Sequence, residues 1–305
     1  MTSQSKGSEI PKVWIDGEFV NWKDSCVHAF SFSLHYGVAA FEGIRFYETK
    51  KGPAVFRLRD HVKRLVYSAE TISLKSKYSE NQIVDHIKLA VKESKFKSGY
   101  IRPIICYKTS DLQTHALKGD VETIIGVFPW GSYLGKKSLR LMISGFARNH
   151  PKSVPMDAKL SGCYVNSILA VREAMKNGFD EALMLDFNGN VAEGTAENFF
   201  MVKNNVLITP PKDNILAGFT RDCIIRIAKD LKIKVQEKFF SGDFAKSADE
   251  AFYSGTAAEI TPIKSINEKK ITKNPPGRIT KMISDAYSEI LAGKSNKYEA
   301  WLDCV

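Results

Sequence analysis

The feature of this chain that most constrains its fold is the way tight turns interrupt its apolar runs. "VWI" and "EFVNW" flank Asp16-Gly17, and "NFFMVK" and "VLITP" flank Asn204-Asn205. "GIRFYET" and "PAVFRLR" flank a Lys-Lys-Gly turn, while "EALMLD" and "VAEG" flank Asn188-Gly189. Connections this short join antiparallel strands, and Asp-Gly and Asn-Gly are what two-residue hairpin turns select. Helical periodicity fills the spaces between. Val62, Leu65, Val66, Ala69 and Ile72 share one face behind a predicted cap at Asp60. Further helices are predicted over 81–94, 166–177, 220–231 and 278–292. Strands and helices do not alternate regularly and no segment repeats, so the expected class is α+β with mainly antiparallel or mixed sheets. The turn-rich "PWGSYLGKK" (129–137) divides the chain into a small domain over 1–130, a linker over 131–137 and a larger domain over 138–305.

Composition narrows the function classes. With 305 residues, 44% hydrophobic and 26% charged, the chain reads as a soluble globular protein. No apolar run approaches the roughly 20 residues that span a bilayer, and the first residues lack the apolar core of a secretory signal. Five scattered cysteines without a CxxC point to a reducing, cytoplasmic setting and away from zinc. The six histidines show no ligand spacing, so no metal is expected. A net charge of +10 permits nucleic-acid binding. However, the densest basic stretch, "NEKKITKNPPGRITK" (267–281), has no interleaved aromatics and reads as a solvated turn entering a helix.

No GxGxxG, Walker or GxSxG motif is present. The chemistry must therefore come from elsewhere, and "MDAKLSGCYVN" (156–166) offers a lysine, Lys159, set before small residues and Tyr164. A loop lysine is ordinarily a solvated charge. It becomes a reagent when it meets a carbonyl partner. Gly218-Phe219-Thr220 opens a predicted helix whose free N–H groups favour an anion, although Thr220 alone would read as a cap. Gly255, Thr256, Ala257 and Ala258 follow a strand and can turn backbone amides toward a ligand. Glu193 stands beside Gly194 at a strand end. Lysine, tyrosine, carboxylate and two anion cups together are what pyridoxal phosphate requires.

The wording and order of the segments are more specific than that list. "LHYGVAAFEGIRFYE", "VFRLRDHVKRLVYSAE", "GYIRPII", "VFPWGSYLG", "AEGTAENFF", "ITPP", "AGFTRD" and "SGTAAEITPI" resemble, in sequence, the class IV (fold type IV) pyridoxal-phosphate aminotransferases, specifically the bacterial branched-chain kind. The resemblance covers nearly the whole chain. It implies two α/β domains with an active site between them, and transfer of an amino group between leucine, isoleucine or valine and 2-oxoglutarate. It assigns the Schiff-base role to Lys159, the ring oxygen to Tyr164 and the ring nitrogen to Glu193. Arg59, the second arginine of "FRLRDH", is matched to the phosphate. Gly218, Phe219, Thr220, Gly255 and Thr256 are matched to the cup, and Leu216 to the ring face. For the substrate it implies apolar walls from Tyr36, Phe41, Gly43, Trp130 and Tyr133. Tyr100, Thr256, Ala257 and Ala258 receive the α-carboxylate, and Arg102 takes the distal carboxylate of glutamate. The family further implies a homodimer or homohexamer and no nucleic-acid or membrane partner. Phe219, Cys163 and the loop "KTSDLQTHALKGD" (108–120) depart from the expected pattern. The alternatives are a D-amino-acid aminotransferase, an aminodeoxychorismate lyase and, outside the class, a basic nucleic-acid-binding protein.

Overall fold

The computed structural model describes residues 12–110, 119–130 and 138–305. The predicted linker with Tyr133, and residues 111–118 of the divergent loop, lie outside the described residues. The chain divides into two compact units, Met1–Trp130 with Asp303–Val305, and Gly131–Leu302. The last three residues, expected in the second domain, thus belong to the first, where the Val305 N–H donates to the Pro53 carbonyl at 3.1 Å.

In the first unit β1 (Val13–Ile15) and β2 (Glu18–Val20) pair around Asp16 and Gly17, both at positive φ as a two-residue hairpin turn demands. There follow α1 (Phe32–Tyr36), β3 (Ala39–Phe41), β4 (Ile44–Thr49) and β5 (Gly52–Phe56). Next come α2 (Leu58–Thr71), α3 (Glu80–Ser94), β6 (Gly99–Ser110) and β7 (Gly119–Phe128). The sheet order is β5-β4-β6-β7-β1-β2, with the C-terminal strand Leu302–Cys304 beside β5 and β3 paired to β6. Helix α2 starts two residues before the predicted cap. Arg57, at φ 53, turns the chain from β5 into the helix, and Asp60 lies inside the first turn, where it accepts from Arg57 Nε. A carboxylate there still meets the positive end of the helix dipole. Helix α3 begins with a capping box between Ser79 and Gln82. The two helices bury Leu58, Val62, Leu65, Ile83 and Ile87, each side chain contributing roughly 1.5–3 kcal/mol when removed from water.

The second unit holds β8 (Leu139–Ile143), α4 (Tyr164–Lys176), β9 (Glu181–Leu183), β10 (Asn198–Lys203), β11 (Val206–Thr209) and α5 (Phe219–Asp230). It continues with β12 (Val235–Glu237), α6 (Gly242–Lys246), β13 (Glu250–Gly255), β14 (Glu259–Ile266), β15 (Lys269–Lys270) and α7 (Arg278–Leu291). The sheet runs β12-β11-β10-β13-β14-β8-β9. The pairs β11–β12, β14–β8 and β8–β9 are parallel and the others antiparallel, so the sheet is mixed. Phe199, Met201 and Tyr253 join Leu139, Leu141, Ile208 and Ile263 in one core cluster. Phe200 and Phe252 stack at 5.0 Å outside that cluster. Both faces of β10 are covered, which is why "NFFMVK" is an unbroken apolar run and not an alternating one. Asn198 pairs with Ser254 across β10 and β13. The turn entering β10 and the turn leaving β13 therefore lie side by side. No helix among the described residues is long and apolar enough to cross a membrane.

Candidate active site

Lys159 stands just ahead of a short 3-10 turn, Ser161–Cys163, that runs directly into α4. The turn brings Tyr164, the first residue of α4, back over the lysine. Lys159 Nζ donates to Tyr164 Oη at 2.5 Å and lies 5.0 Å from the ring centroid. Asn149 and Asn166 fasten the segment: Asn149 Nδ2 donates to the Cys163 carbonyl, and Asn166 Oδ1 accepts from the Asn149 N–H.

The Glu193 carboxylate is buried and surrounded by donors. Arg148 Nε reaches Oε1 at 2.7 Å, Asn198 Nδ2 reaches Oε2 at 3.1 Å, and the Leu216 N–H lies 3.2 and 3.3 Å from the two oxygens. Burial opposes the charge on Arg148, yet Glu193 holds its guanidinium above the ordinary range, and Tyr164 acts on it in the same direction. Asn198 also donates to the Leu216 carbonyl at 2.9 Å, tying the Glu193 turn to the segment that enters α5. That entry requires a glycine, because a Cβ at Gly218 would collide with Asn198 Oδ1. Gly218 caps α5 without a side-chain hydrogen bond, and Phe219 and Thr220 form its first turn. Thr256, Ala257 and Ala258 make the turn between β13 and β14, beside the Glu193 turn.

The first unit assembles a second cluster. Tyr100 stacks on Trp130 at 4.6 Å, and its hydroxyl accepts from Arg102 Nη2 at 2.6 Å. The Arg102 guanidinium also lies 4.7 Å from the Phe41 ring centroid. Gly43 makes the approach of Tyr100 possible, since a Cβ there would overlap the phenol oxygen. Phe41 with Gly43, Tyr100 with Arg102, and Trp130 thus come together from three separate stretches of the sequence. Tyr36 is half-exposed and packs on Phe32 at 4.8 Å.

A family model for amino-transferase class IV matches residues 39–266. The chain belongs to the class IV aminotransferases. It is 40% identical over 299 residues to the branched-chain-amino-acid aminotransferase of Escherichia coli K12, covering 96% of this chain and 97% of that one. The branched-chain aminotransferase of the thermophilic archaeon Thermoproteus uzoniensis, solved with norvaline, superposes with TM-score 0.92 at 40% identity, covering 96% and 98% of the two chains. The branched-chain amino acid aminotransferase of Thermobaculum terrenum, solved in its PLP-bound holo form, gives TM-score 0.90 at 33% identity over 97% of this chain and 98% of that one. The α+β class read from the sequence holds.

Within this class IV aminotransferase two placements go beyond the sequence reading. Arg59, matched to the phosphate, is 66% exposed on α2 and engages Asp303 at 3.5 Å and Asn81 at 3.4 Å. The arginine within that helix that turns inward is Arg64, 12% exposed, whose Nε lies 2.5 Å from Glu42 Oε1. The reason is helical phase: Arg64 falls on the inward stripe with Leu65 and His61, whereas Arg59 falls outside it. Glu42 is fully buried, with His61 Nδ1 at 2.8 Å. Burial works against its charge, but Arg64 and His61 outweigh this and hold its carboxyl far below the ordinary range. Arg148 was also missed, because "FARNH" carries no motif. Asn198 sits in the quoted "AEGTAENFF" run, where its fixed spacing from Glu193 was the available signal. Among the described residues no cluster of His, Cys, Asp or Glu could hold a metal ion.

Proposed function

We propose that this class IV aminotransferase passes an amino group reversibly between L-leucine, L-isoleucine or L-valine and 2-oxoglutarate, with pyridoxal 5'-phosphate as cofactor. The observation that carries the reading is the 2.5 Å contact of Lys159 Nζ with Tyr164 Oη. The donor set suits the cofactor. A carboxylate held by Arg148, Asn198 and the Leu216 N–H suits a protonated ring nitrogen, and a phenol beside an amine suits the ring oxygen and aldehyde carbon. The glycine-capped N-terminus of α5 suits the phosphate. Arg148 Nη1 is buried and has no hydrogen-bond partner among the described residues.

When bound, the cofactor supplies an electron sink for the substrate Cα and carries the amino group between half-reactions. Lys159 would hold it at the aldehyde carbon, Tyr164 at the ring oxygen, Glu193 at the ring nitrogen and Leu216 against the ring. Gly218, Phe219, Thr220, Gly255 and Thr256 would surround its phosphate, with Arg64 in place of Arg59 as the arginine. Lys159 Nζ would take the proton from the substrate Cα, and Tyr164 would keep the amine oriented. Glu193, paired with Arg148, would favour a proton on the ring nitrogen. Phe41 and Trp130 offer apolar surface to a branched side chain, Tyr100, Ala257 and Ala258 receive the α-carboxylate, and Arg102 receives the distal carboxylate of glutamate. Exposed Val165, Ile168 and Leu169, at helical spacing on α4, support a homo-oligomer. Five free cysteines support a cytoplasmic setting. The test is the visible spectrum of the purified protein before and after L-leucine. A shift with L-leucine but not D-alanine supports the reading; a shift with D-alanine alone overturns it.

A further inference from the structure

Two more carboxyls lie against the Glu193–Asn198 turn. Glu197 is 3% exposed and Glu181, on β9, is 5% exposed. Glu181 Oε1 accepts from Thr195 Oγ1 at 2.9 Å and from the Ala182 N–H at 2.7 Å, and Glu197 Oε2 accepts from the Ala196 N–H at 3.1 Å. Adjacent residues of one turn therefore engage the two groups. A Cβ at Gly194 would sit 2.9 Å from Glu197 Oε2, and one at Gly255 would sit 3.6 Å from Glu197 Cγ. The Glu197 side chain is wedged between the turn that carries Glu193 and the end of β13.

The charges facing it are Glu181, Glu193 and, when ionised, the Tyr253 phenol, with Lys159 opposing them. Glu259 pairs with Gly255 at the start of β14, and Arg148 is engaged by Glu193. Three carboxyls thus meet two cations, and the donors are shared unequally. Glu193 has an arginine, an amide and a backbone N–H, and Glu181 has two donors. Glu197 has one, on Oε2, while its Oε1 is buried with no partner among the described residues. A buried carboxyl with one donor and anionic neighbours is where a negative charge is hardest to hold.

We propose that Glu197 and Glu181 form a buried acid pair that retains one proton at neutral pH, carried by Glu197, and that Glu197 is thereby a positioning residue for Lys159. Burial, followed by the charge of Glu181, pushes Glu197 up to about 8, and burial pushes Glu181 up as well. An anionic Glu197 would attract the Lys159 amine through its charge, whereas a neutral one leaves Lys159 on Tyr164 Oη. The acid pair stands on these side chains alone; its link to Lys159 rests on reading that lysine as the catalytic amine.

Between the ordinary 4.5 and about 8 the folded protein binds this proton and the unfolded chain does not. Stability contributed by the proton is present below 4.5 and is lost as pH rises toward about 8. Infrared difference spectra of the purified protein should show a protonated-carboxyl band at neutral pH that disappears through about 8. Glu197→Gln should lack the band and show a flatter decline of Tm over that interval. Glu181→Gln should move the loss of the band to lower pH. Absence of the band in the unsubstituted protein, a measurement that needs no variant, overturns the proposal, as does its survival in folded Glu197→Gln. The visible spectrum of the cofactor-loaded protein should step at the pH where the band is lost, and the step should vanish in Glu197→Gln. If the band titrates without such a step, the link to Lys159 fails, while the response to L-leucine still tests the lysine itself.

Discussion

Arg148 and Glu193 form an ion pair, Nε to Oε1 at 2.7 Å, with side chains only 10% and 6% exposed. Neither charge is easily solvated if the other is removed. The pair also connects the segment after β8 to the turn before β10, so it fixes where the carboxylate stands. Arg148→Met is expected to cost about 3–5 kcal/mol, because it leaves a carboxylate buried without its cation. Arg148→Met combined with Glu193→Gln should cost less than Arg148→Met alone. Urea unfolding of the single and double variants measures this coupling. A cost below about 1 kcal/mol for Arg148→Met would place the pair among solvated contacts.

Lys159→Ala should abolish the spectral response to L-leucine while changing stability by only about 0.5 kcal/mol, as for other substitutions outside the packed core. The lysine is partly exposed and its amine is held against the Tyr164 hydroxyl, so its loss opens no large cavity. Retained leucine transamination in the variant refutes its catalytic role. A collapse of Tm would instead assign Lys159 to the architecture of the α4 entry.

Arg59→Ala and Arg64→Lys should separate the two arginines of α2. Arg59 is largely solvated, so its removal is expected to leave retention of pyridoxal phosphate within a factor of two or so of the parent. Arg64→Lys keeps a cation near Glu42 but loses the planar fork that pairs with phosphate, and should weaken retention by at least tenfold, about 1.4 kcal/mol. Equilibrium dialysis of the cofactor against each variant gives the comparison. Loss of retention in Arg59→Ala with none in Arg64→Lys would support Arg59, as the resemblance implied, and exclude Arg64.

The hairpins were legible because their turns are local: Asp16, Gly17, Asn204 and Asn205 all take the positive φ that their residue types favour. Helix interiors were legible from periodicity, and the start of α2 was not, because Arg57 reaches a left-handed conformation that no propensity announces. Lys159 and Tyr164 were paired in advance by the family resemblance, and the short turn between them keeps the two side chains within reach. Arg148 could not be placed in advance, because it lies 45 residues from Glu193 and only the tertiary fold brings them together. That Arg64 turns inward and Arg59 does not follows from the helix phase relative to the sheet, which depends on what α2 packs against. The acid pair was equally hidden. Glu181 and Glu197 look like ordinary surface carboxylates until burial is known.

Arg102 supplies the most discriminating prediction. A site that takes both leucine and glutamate must accept an apolar branch and a carboxylate in turn, and an apolar wall alone would leave that carboxylate unpaired at high cost. Arg102 has the capacity: Nη2 donates to Tyr100 Oη, the guanidinium carbon lies over the Phe41 ring, and Nε is buried without a hydrogen-bond partner among the described residues. Tyr100 and Phe41 would steady the guanidinium in either case, so leucine need not pair with it. Arg102→Leu should therefore weaken the half-reactions with glutamate and 2-oxoglutarate by about 2–5 kcal/mol, with a raised KM, if the distal carboxylate is left buried and unpaired. The leucine half-reaction should change far less. Should Arg102 merely support Tyr100 and Phe41, both half-reactions would suffer alike, since those two side chains would shift whichever substrate is bound. Stopped-flow measurement of each half-reaction separates the outcomes, and equal losses with glutamate and leucine would remove Arg102 from substrate selection.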